Sequence, residues 1–160
     1  MLFFCCREVF PIILKPEGSD YQWGKSLVVA DTSASHAQSV TISAVGSLVA
    51  QALKAVDSLA AQGIGAVVLA NSLVNRPDIA GHQAALKKTG NRLITLEDHQ
   101  AIGGAGSMLL SALVQAGSCP QVKVLGVQSD FGRSAYTANE LYAHYGIDAA
   151  AVVTAAKALV

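Results

Sequence analysis

The sequence predicts an α/β fold: a three-layer α/β/α sandwich around a mostly parallel, five-stranded sheet with one antiparallel strand. Short apolar runs alternate along the chain with longer segments of helical periodicity, a pattern typical of right-handed strand–helix–strand units. The chain has 160 residues, of which 52% are hydrophobic and 14% charged. This length and composition indicate one well-packed domain rather than disorder.

The N-terminal part departs from this alternation. Residues 1–24 contain a short apolar run at 3–6 and then prolines and glycines without a sustained period, which predicts the tail of a preceding domain and a linker. The main domain is predicted over residues 25–160. Its first strands, at 26–30 and 39–44, are separated by a short polar turn. This spacing suits a β-hairpin, so one of the two strands should run antiparallel to the rest.

The later elements follow from periodicity and flanking residues. Helices are expected at residues 48–62, 77–88, 107–116, 137–145 and 149–159, and strands at 64–70, 92–96 and 122–127. Pro77 suits the first position of its helix. Thr137 with Glu140 fits a capping box, and Asp148 is a natural N-cap.

Charge and cysteine content exclude several classes of partner. Lys plus Arg and Asp plus Glu are 11 each, and no basic run is present, so we expect no nucleic-acid partner. Cys5, Cys6 and Cys119 form neither a disulfide framework nor a zinc-ligand pattern, which favours a reducing, cytoplasmic setting and no metal site. We also expect no signal peptide and no membrane contact.

The turn after the predicted strand at 92–96 is the first candidate site. Gly103, Gly104, Gly106 and Ser107 precede a helix, where backbone N–H groups and the helix dipole favour an anion. The spacing matches neither the dinucleotide fingerprint nor a P-loop. The alternative is a tight turn that lets the helix pack closely on the sheet.

Other polar residues offer weaker candidates. Glu97, Asp98 and His99 are consecutive, so they form either an acid–base cluster or a set that bonds locally to turn amides. Three further histidines lack a partner at recognisable spacing and are expected at the surface or at helix caps: His36, His82 and His144. No complete set of catalytic residues is visible.

A loop after the last predicted strand is a candidate interface. Phe131 and Arg133 lie in the segment DFGRS at residues 130–134, whose spacing fits a P-loop poorly. An exposed aromatic ring beside a guanidinium group is typical of protein docking surfaces. We therefore predict an interaction role for this loop.

Several segments together resemble the C-terminal domain of transketolase. In order they are YQWGKSLVVAD (21–31), VTISAVGSLVAQALKAVDSLAAQGIGAVVLANSLVNRPD (40–78), LITLEDHQAIGGAGS (93–107) and KVLGVQSDFGRSAYTANELYAHYGID (123–148). The resemblance covers roughly residues 10–160. Its most specific part is a set of four short motifs that occur in this order: EDH, GGAGS, DFG and YGID.

The resemblance implies a transferase of the pentose phosphate pathway that moves two-carbon ketol units between sugar phosphates. Thiamine diphosphate and Mg²⁺ act in such a complete enzyme, and this chain alone is expected to bind neither and to lack activity. The domain would serve as a scaffold for dimerisation, with the cofactor-binding and pyrimidine-binding domains or subunit as partners. A homodimer is the expected state.

The resemblance also implies one substrate contact. The segment FCCREVFP (residues 4–11) is similar to the end of the family's pyrimidine-binding domain, where an arginine binds the substrate phosphate. Arg7 holds that position and offers bidentate donors. Glu8 stands where the family has glutamine, which places a carboxylate beside the proposed anion.

Alternative functions stay open at this point. The C-terminal domains of a 2-oxoacid dehydrogenase β subunit and of deoxyxylulose-phosphate synthase share the architecture. A free-standing regulatory module that binds a small anion at residues 103–107 is a second class, and a pure interaction domain is a third. The sequence does not determine whether the chain is a natural split subunit or a fragment, nor which sugar phosphates or 2-oxoacids the complete enzyme uses.

Overall fold

The structure, a computed structural model, describes residues 8–13 and 21–160. The strands are β1 (Leu27–Asp31), β2 (Gln38–Val45), β3 (Ile64–Asn71), β4 (Arg92–Gln100) and β5 (Gln121–Val127). The helices are α1 (Val49–Ala60), α2 (Ile79–Lys88), α3 (Ala105–Gln115), α4 (Ala138–His144) and α5 (Ala149–Lys157). One sheet holds the strands in the order β1-β3-β2-β4-β5, with β1 antiparallel to β3 and the other pairs parallel. The predicted fold class is confirmed.

Both faces of the sheet are covered by helices. Leu93 and Ile94 are neighbours on β4, and they contribute to different apolar clusters because side chains alternate along a strand. The cluster of Ile94 includes residues of α1 and α5, whereas the cluster of Leu93 includes residues of α2 and α3. Central β2 and β3 are therefore buried along nearly their whole length, as expected for parallel strands covered on both sides.

The predicted hairpin between the first two strands is wrong. β1 pairs with β3 rather than with β2, so the link between β1 and β2 passes over the start of β3. Gly65 permits this crossing, because a Cβ there would lie 2.9 Å from the carbonyl oxygen of Thr32. Thr32 also forms two hydrogen bonds with Ala66. Its backbone N–H donates to the Ala66 carbonyl oxygen at 2.9 Å, and its hydroxyl accepts from the Ala66 N–H. Burial of β2 on both faces requires a central position, which leaves β1 at the edge.

Helix starts follow the predicted caps, with one exception. The Asp148 carboxylate accepts from the Ala151 N–H at 2.9 Å, and the Thr137 hydroxyl accepts from the Glu140 N–H at 3.4 Å. Pro77, however, is not in the first turn of α2, because Asp78 is the N-cap and the helix begins after it. Asp78 is the N-cap because its side chain accepts a hydrogen bond from a backbone N–H group of the first turn, which a proline side chain cannot do.

The described N-terminal segment, residues 8–13, runs over the surface beside α4. Its Glu8 carboxylate accepts from the Ala138 N–H at 2.7 Å, and Ile13 packs against the core. The predicted strand at residues 3–6 and the proposed phosphate ligand Arg7 lie outside the described residues. The boundary between linker and domain at residues 24 and 25 stays a prediction.

Asp78 joins the segment just before β1 to α2, and its removal tests this connection. Burial alone would raise the pKa of Asp78, but bonds from the backbone N–H groups of Ser26 (3.0 Å) and Gly81 (3.2 Å) and the charge of Lys25 outweigh it and lower that pKa below 3.8. We expect Asp78→Ala to reduce the free energy of unfolding by about 2 kcal/mol at neutral pH. A carboxyl group with a lowered folded-state pKa stabilises above its unfolded pKa, so the difference should shrink as the pH falls below about 4.

Urea unfolding at several pH values measures this effect. Asp57→Ala is the matched control, because Asp57 is exposed on α1 and its replacement should change the free energy of unfolding by less than about 0.5 kcal/mol. An equal loss in both variants, or a loss in Asp78→Ala that does not depend on pH, would contradict the assignment.

Candidate functional site

The turn between β4 and α3 places a buried carboxylate against a helix N-terminus. Glu97 is only 2% exposed, and its two carboxylate oxygens accept from the N–H groups of Ala105 (2.6 Å) and Gly106 (2.9 Å). The positive end of the helix dipole and two charge-assisted bonds stabilise the negative charge there. The predicted anion position is thus taken by a carboxylate of the chain itself.

The glycines of this turn make room for Glu97. A Cβ at Gly106 would lie 3.0 Å from a Glu97 oxygen and 2.6 Å from the Thr95 hydroxyl, and a Cβ at Gly104 would overlap the same carboxylate. Gly103 has φ +78°, a left-handed conformation that favours glycine. The structure therefore agrees with the alternative of a tight turn that lets α3 pack closely on the sheet.

Further donors of the turn also have internal partners. The Gly103 N–H donates to the Ser107 hydroxyl at 3.2 Å, and that hydroxyl donates to the Ala101 carbonyl at 2.6 Å. An added anion would have to displace these bonds or Glu97. We therefore assign no anion to the turn of Gly103, Gly104, Gly106 and Ser107.

Glu97, Asp98 and His99 do not form an acid–base cluster. The structure extends β4 through Gln100 instead of ending it at residue 96, although the pairing register with β5 shifts between Leu96 and Gln100. Glu97 is bonded to the start of α3, whereas Asp98 is exposed and accepts from the Ser47 hydroxyl at 3.0 Å. The expectation of local bonding to turn amides is met by Glu97. We see no convergence of these three side chains on one reacting atom.

A cleft lies where β4 and β5 end, beside α4. We call it the α4 cleft; its volume is about 390 Å³, and its apolar walls include Phe10, Val127, Leu141, Tyr142, Tyr145 and Ile147. The carboxyl ends of parallel strands are the usual place for ligands in this class of fold. Sequence reasoning missed this cleft, because its walls come from separate parts of the chain.

The polar lining of the α4 cleft is sparse. Asp98 lies in its wall and accepts from the Ser47 hydroxyl. A hydroxyl has only one proton to donate, so Ser47 must accept from the Tyr142 hydroxyl, which lies 2.8 Å away. Glu8 also belongs to the lining, bonded to the start of α4. The Ser47 hydroxyl thus occupies one oxygen of the Asp98 carboxylate, and the remaining walls of the cleft are mostly apolar, as in sites that bind an apolar group.

The loop between β5 and α4, residues 128–137, forms one wall of the cleft and carries the predicted interface residues. Phe131 is 91% exposed, and its carbonyl accepts from the Tyr145 hydroxyl at 2.8 Å. Arg133 is also exposed and donates to Nδ1 of His144 at 3.2 Å. The same loop exposes Tyr136 to 95%. The structure thus brings Phe131 and Arg133 onto one exposed loop, and their interface role stays a prediction.

His82 is fully buried, so its expected place at the surface or at a cap is wrong. Its Nδ1 lies 2.7 Å from the Asp78 carbonyl, which only accepts, so Nδ1 carries the proton and Nε2 accepts from the Ser43 hydroxyl at 2.9 Å. Ser43 in turn accepts from the Asn71 amide at 2.8 Å. This Ser–His pair is sealed in the core and lacks a carboxylate on the imidazole, so we assign it a structural role.

A metal-binding cluster of side chains and a membrane-spanning helix are both absent from residues 8–13 and 21–160. Within those ranges no group of three or more His, Cys, Asp or Glu side chains has the geometry to hold a metal ion. The helices described there are all too short or too polar to cross a bilayer. Cys119 is exposed as a free thiol.

Comparison with known families gives one match that covers most of the chain. A profile described as transketolase, C-terminal domain, matches residues 30–152. The 1-deoxy-D-xylulose-5-phosphate synthase of Alteromonas mediterranea is 36% identical over 86% of this chain and 21% of its own length. A subunit of the apulose-4-phosphate transketolase of Phocaeicola vulgatus is 29% identical over 89% of this chain and 43% of its own length.

A solved structure shares the fold. It is described as a split-gene transketolase in an inactive β4 tetramer, and it superimposes with a TM-score of 0.82 at 29% identity. The match covers 96% of this chain and 47% of that one. The chain thus spans less than half the length of these relatives.

Replacing Glu97 tests its role at the start of α3. Glu97→Gln keeps the size but turns one acceptor into a donor that faces a backbone N–H, so we expect the free energy of unfolding to fall by about 2–3 kcal/mol. Asp98→Asn is the matched control, since Asp98 is exposed, and it should lose less than about 1 kcal/mol. Chemical denaturation measures both values. Equal losses in the two variants would show that the Glu97 contacts do not anchor the helix.

His82 should make stability depend on pH. Burial lowers the pKa of His82 below 6.5, although the bond to the Asp78 carbonyl and the Asp78 charge oppose this shift. Between the lowered folded pKa and 6.5 the unfolded chain binds more protons, so stability falls as the pH falls through this window. We expect His82→Gln to flatten this slope in urea titrations. A wild-type slope in this variant would contradict the assignment.

Proposed function

The chain belongs to the transketolase C-terminal domain family, and we propose that it serves as the C-terminal domain or separate small subunit of a ketol transferase. Such an enzyme moves two-carbon units between sugar phosphates. The observation that carries the proposal is the family match over residues 30–152, together with the shared fold. Because the chain spans less than half of its relatives, the reacting sugars are assigned to the remaining part of the enzyme.

Thiamine diphosphate and Mg²⁺ belong to that remaining part in our proposal. A diphosphate–metal group needs free anion donors and oxygen ligands together. The glycine turn does not fit this need, because its helix N-terminus already holds the Glu97 carboxylate. The residues described here therefore do not suit the cofactor, and no chemical step is assigned to them.

The role left to this chain is scaffolding and association. We propose that it joins the cofactor-binding and pyrimidine-binding part of the enzyme and that copies of it also associate with one another. Two observations support self-association: the solved relative is described as a β4 tetramer, and the formal net charge of this chain is zero, which removes long-range repulsion between copies. A reducing, cytoplasmic setting is part of the proposal, because Cys119 is exposed as a free thiol.

A deoxyxylulose-phosphate synthase is the second candidate for the complete enzyme. The relative of that name in Alteromonas mediterranea is 36% identical to this chain. The scaffolding role is the same under both candidates, since the chain matches only 21% of that relative. A free-standing anion-binding module is not proposed, because Glu97 occupies the turn on which it depended.

The division of labour between this chain and the rest of the enzyme is testable by assay. The purified chain, given xylulose 5-phosphate, ribose 5-phosphate, thiamine diphosphate and Mg²⁺, is expected to show no ketol transfer. Co-expression with the polypeptide encoded immediately upstream should restore it, because that polypeptide would supply the cofactor-binding and pyrimidine-binding parts. Product formation is followed by chromatography of the sugar phosphates.

Three outcomes separate the candidates. Turnover by the isolated chain would contradict the proposed division. Formation of 1-deoxy-D-xylulose 5-phosphate by the co-expressed proteins, without ketol transfer, would favour the synthase. If the co-expressed proteins form a stable complex that shows neither activity, both enzyme candidates are excluded.

A further inference from the structure

We propose that the α4 cleft is a binding site for a small organic cation, an ammonium group carried on an aromatic or other apolar body. The cleft lies where β4 and β5 end, and its lining offers such a ligand two carboxylates and three aromatic rings. Binding of this ligand class is a property additional to the scaffolding role proposed above, and it does not depend on that role.

The charged groups that line the cleft are all negative. Glu8 and Asp98 carry them, and none of the other described lining residues is Lys, Arg or His. Arg133 lies on the adjoining loop, outside the lining, and donates to Nδ1 of His144 at 3.2 Å. A neutral or anionic occupant would take water away from the carboxylates without supplying a positive partner, which costs free energy. The lining therefore favours a cation.

Both carboxylates are held in position before any ligand arrives. The Tyr142 hydroxyl donates to Ser47 at 2.8 Å, and the Ser47 hydroxyl donates to Oδ2 of Asp98 at 3.0 Å. Oε1 of Glu8 accepts from the Ala138 N–H at 2.7 Å. A carboxylate can accept about four hydrogen bonds, so each of the two retains acceptor capacity for an ammonium group. Because the acceptors are already fixed, a ligand need not order them, which lowers the entropic cost of binding.

The walls of the cleft suit the apolar body of such a ligand. Phe10, Tyr142 and Tyr145 contribute aromatic rings, and Leu141 and Ile147 contribute aliphatic groups. Aromatic rings attract cations to their faces, and proteins use them to enclose ammonium ligands. The volume of about 390 Å³ falls within the range of small-molecule sites, about 300–1,000 Å³.

A metal ion is a poorer match for the same cleft. Hard cations such as Mg²⁺ and Ca²⁺ need several oxygen ligands around one point. The part of the chain that the structure describes holds no group of three or more His, Cys, Asp or Glu side chains suited to a metal ion. The aromatic walls and the pair of carboxylates together point to an organic cation.

Titration of the full chain with phenethylammonium chloride at neutral pH, followed by amide NMR, tests the site. We expect a dissociation constant of about 1 mM, as for a ligand of few atoms, and shifts of the amide signals of Asp98, Ala138 and Tyr142. Phenylpropanoate and phenylethanol carry the same ring with a negative charge and with no charge. Both should bind about tenfold more weakly or worse, because they leave the carboxylates without a positive partner.

Variants of the lining assign the charge preference to named residues. Asp98→Asn and Glu8→Gln remove one charge each while keeping an oxygen for the existing hydrogen bond, and each should raise the dissociation constant of phenethylammonium by about fivefold. Asp57→Asn is the matched control, because Asp57 is exposed on α1 and does not line the cleft. Ala135→Phe should abolish binding by filling the cleft, while circular dichroism verifies an unchanged fold.

Several results would overturn the inference. Equal affinity for the three probes, or undiminished phenethylammonium binding in both Asp98→Asn and Glu8→Gln, would show that the cleft does not select a cation. No binding of phenethylammonium, or shifts confined to amides outside the cleft, would remove the site. If only a lysine-centred tripeptide with blocked ends binds, and does so less well in Asp98→Asn, the occupant is a lysine of a partner protein and the small-molecule site is excluded. Each of these results leaves the proposed function unchanged, because ketol transfer is assayed separately with the co-expressed polypeptide.

Discussion

The contact between the Glu97 carboxylate and the first amides of α3 organises the carboxyl edge of the sheet. Helix N-termini attract anions, and here the attraction is satisfied within the chain, with Glu97 2% exposed and bonded to Ala105 and Gly106. Gly104 and Gly106 allow the approach because neither carries a Cβ. The contact fixes α3 on the sheet and removes the turn as a binding loop.

A second buried polar group complements this contact on the same helical face of the sheet. His82 bonds Ser43 on β2 and the Asp78 carbonyl, while the Asp78 side chain holds the backbone of Ser26, just before β1, and caps α2. Each buried donor in this group has an acceptor, which is the condition under which polar groups stabilise a core. Polar chemistry at this edge therefore contributes to rigidity.

Rigidity at this edge bears on the surface that the carboxyl ends of the strands present. The ends of β4 and β5 lead into the α4 cleft and into a loop whose aromatic rings face solvent. An ordered scaffold positions such a surface with small entropic loss on association. Membership of the transketolase family and a role in assembly are thus consistent with the same geometry.

Local signals in the sequence determined the succession of strands and helices along the chain, the fold class that this succession indicates, and the caps at Thr137 and Asp148. The elements and their caps depend on neighbours within a few residues. The family, too, was recognisable from the EDH and GGAGS segments. Only the tertiary structure decided that β1 pairs with β3, that Glu97 fills the glycine turn and that His82 is buried. These features depend on contacts between residues distant in sequence, whose register and burial no local pattern specifies. The α4 cleft arises in the same way, from walls that meet only when the chain has folded.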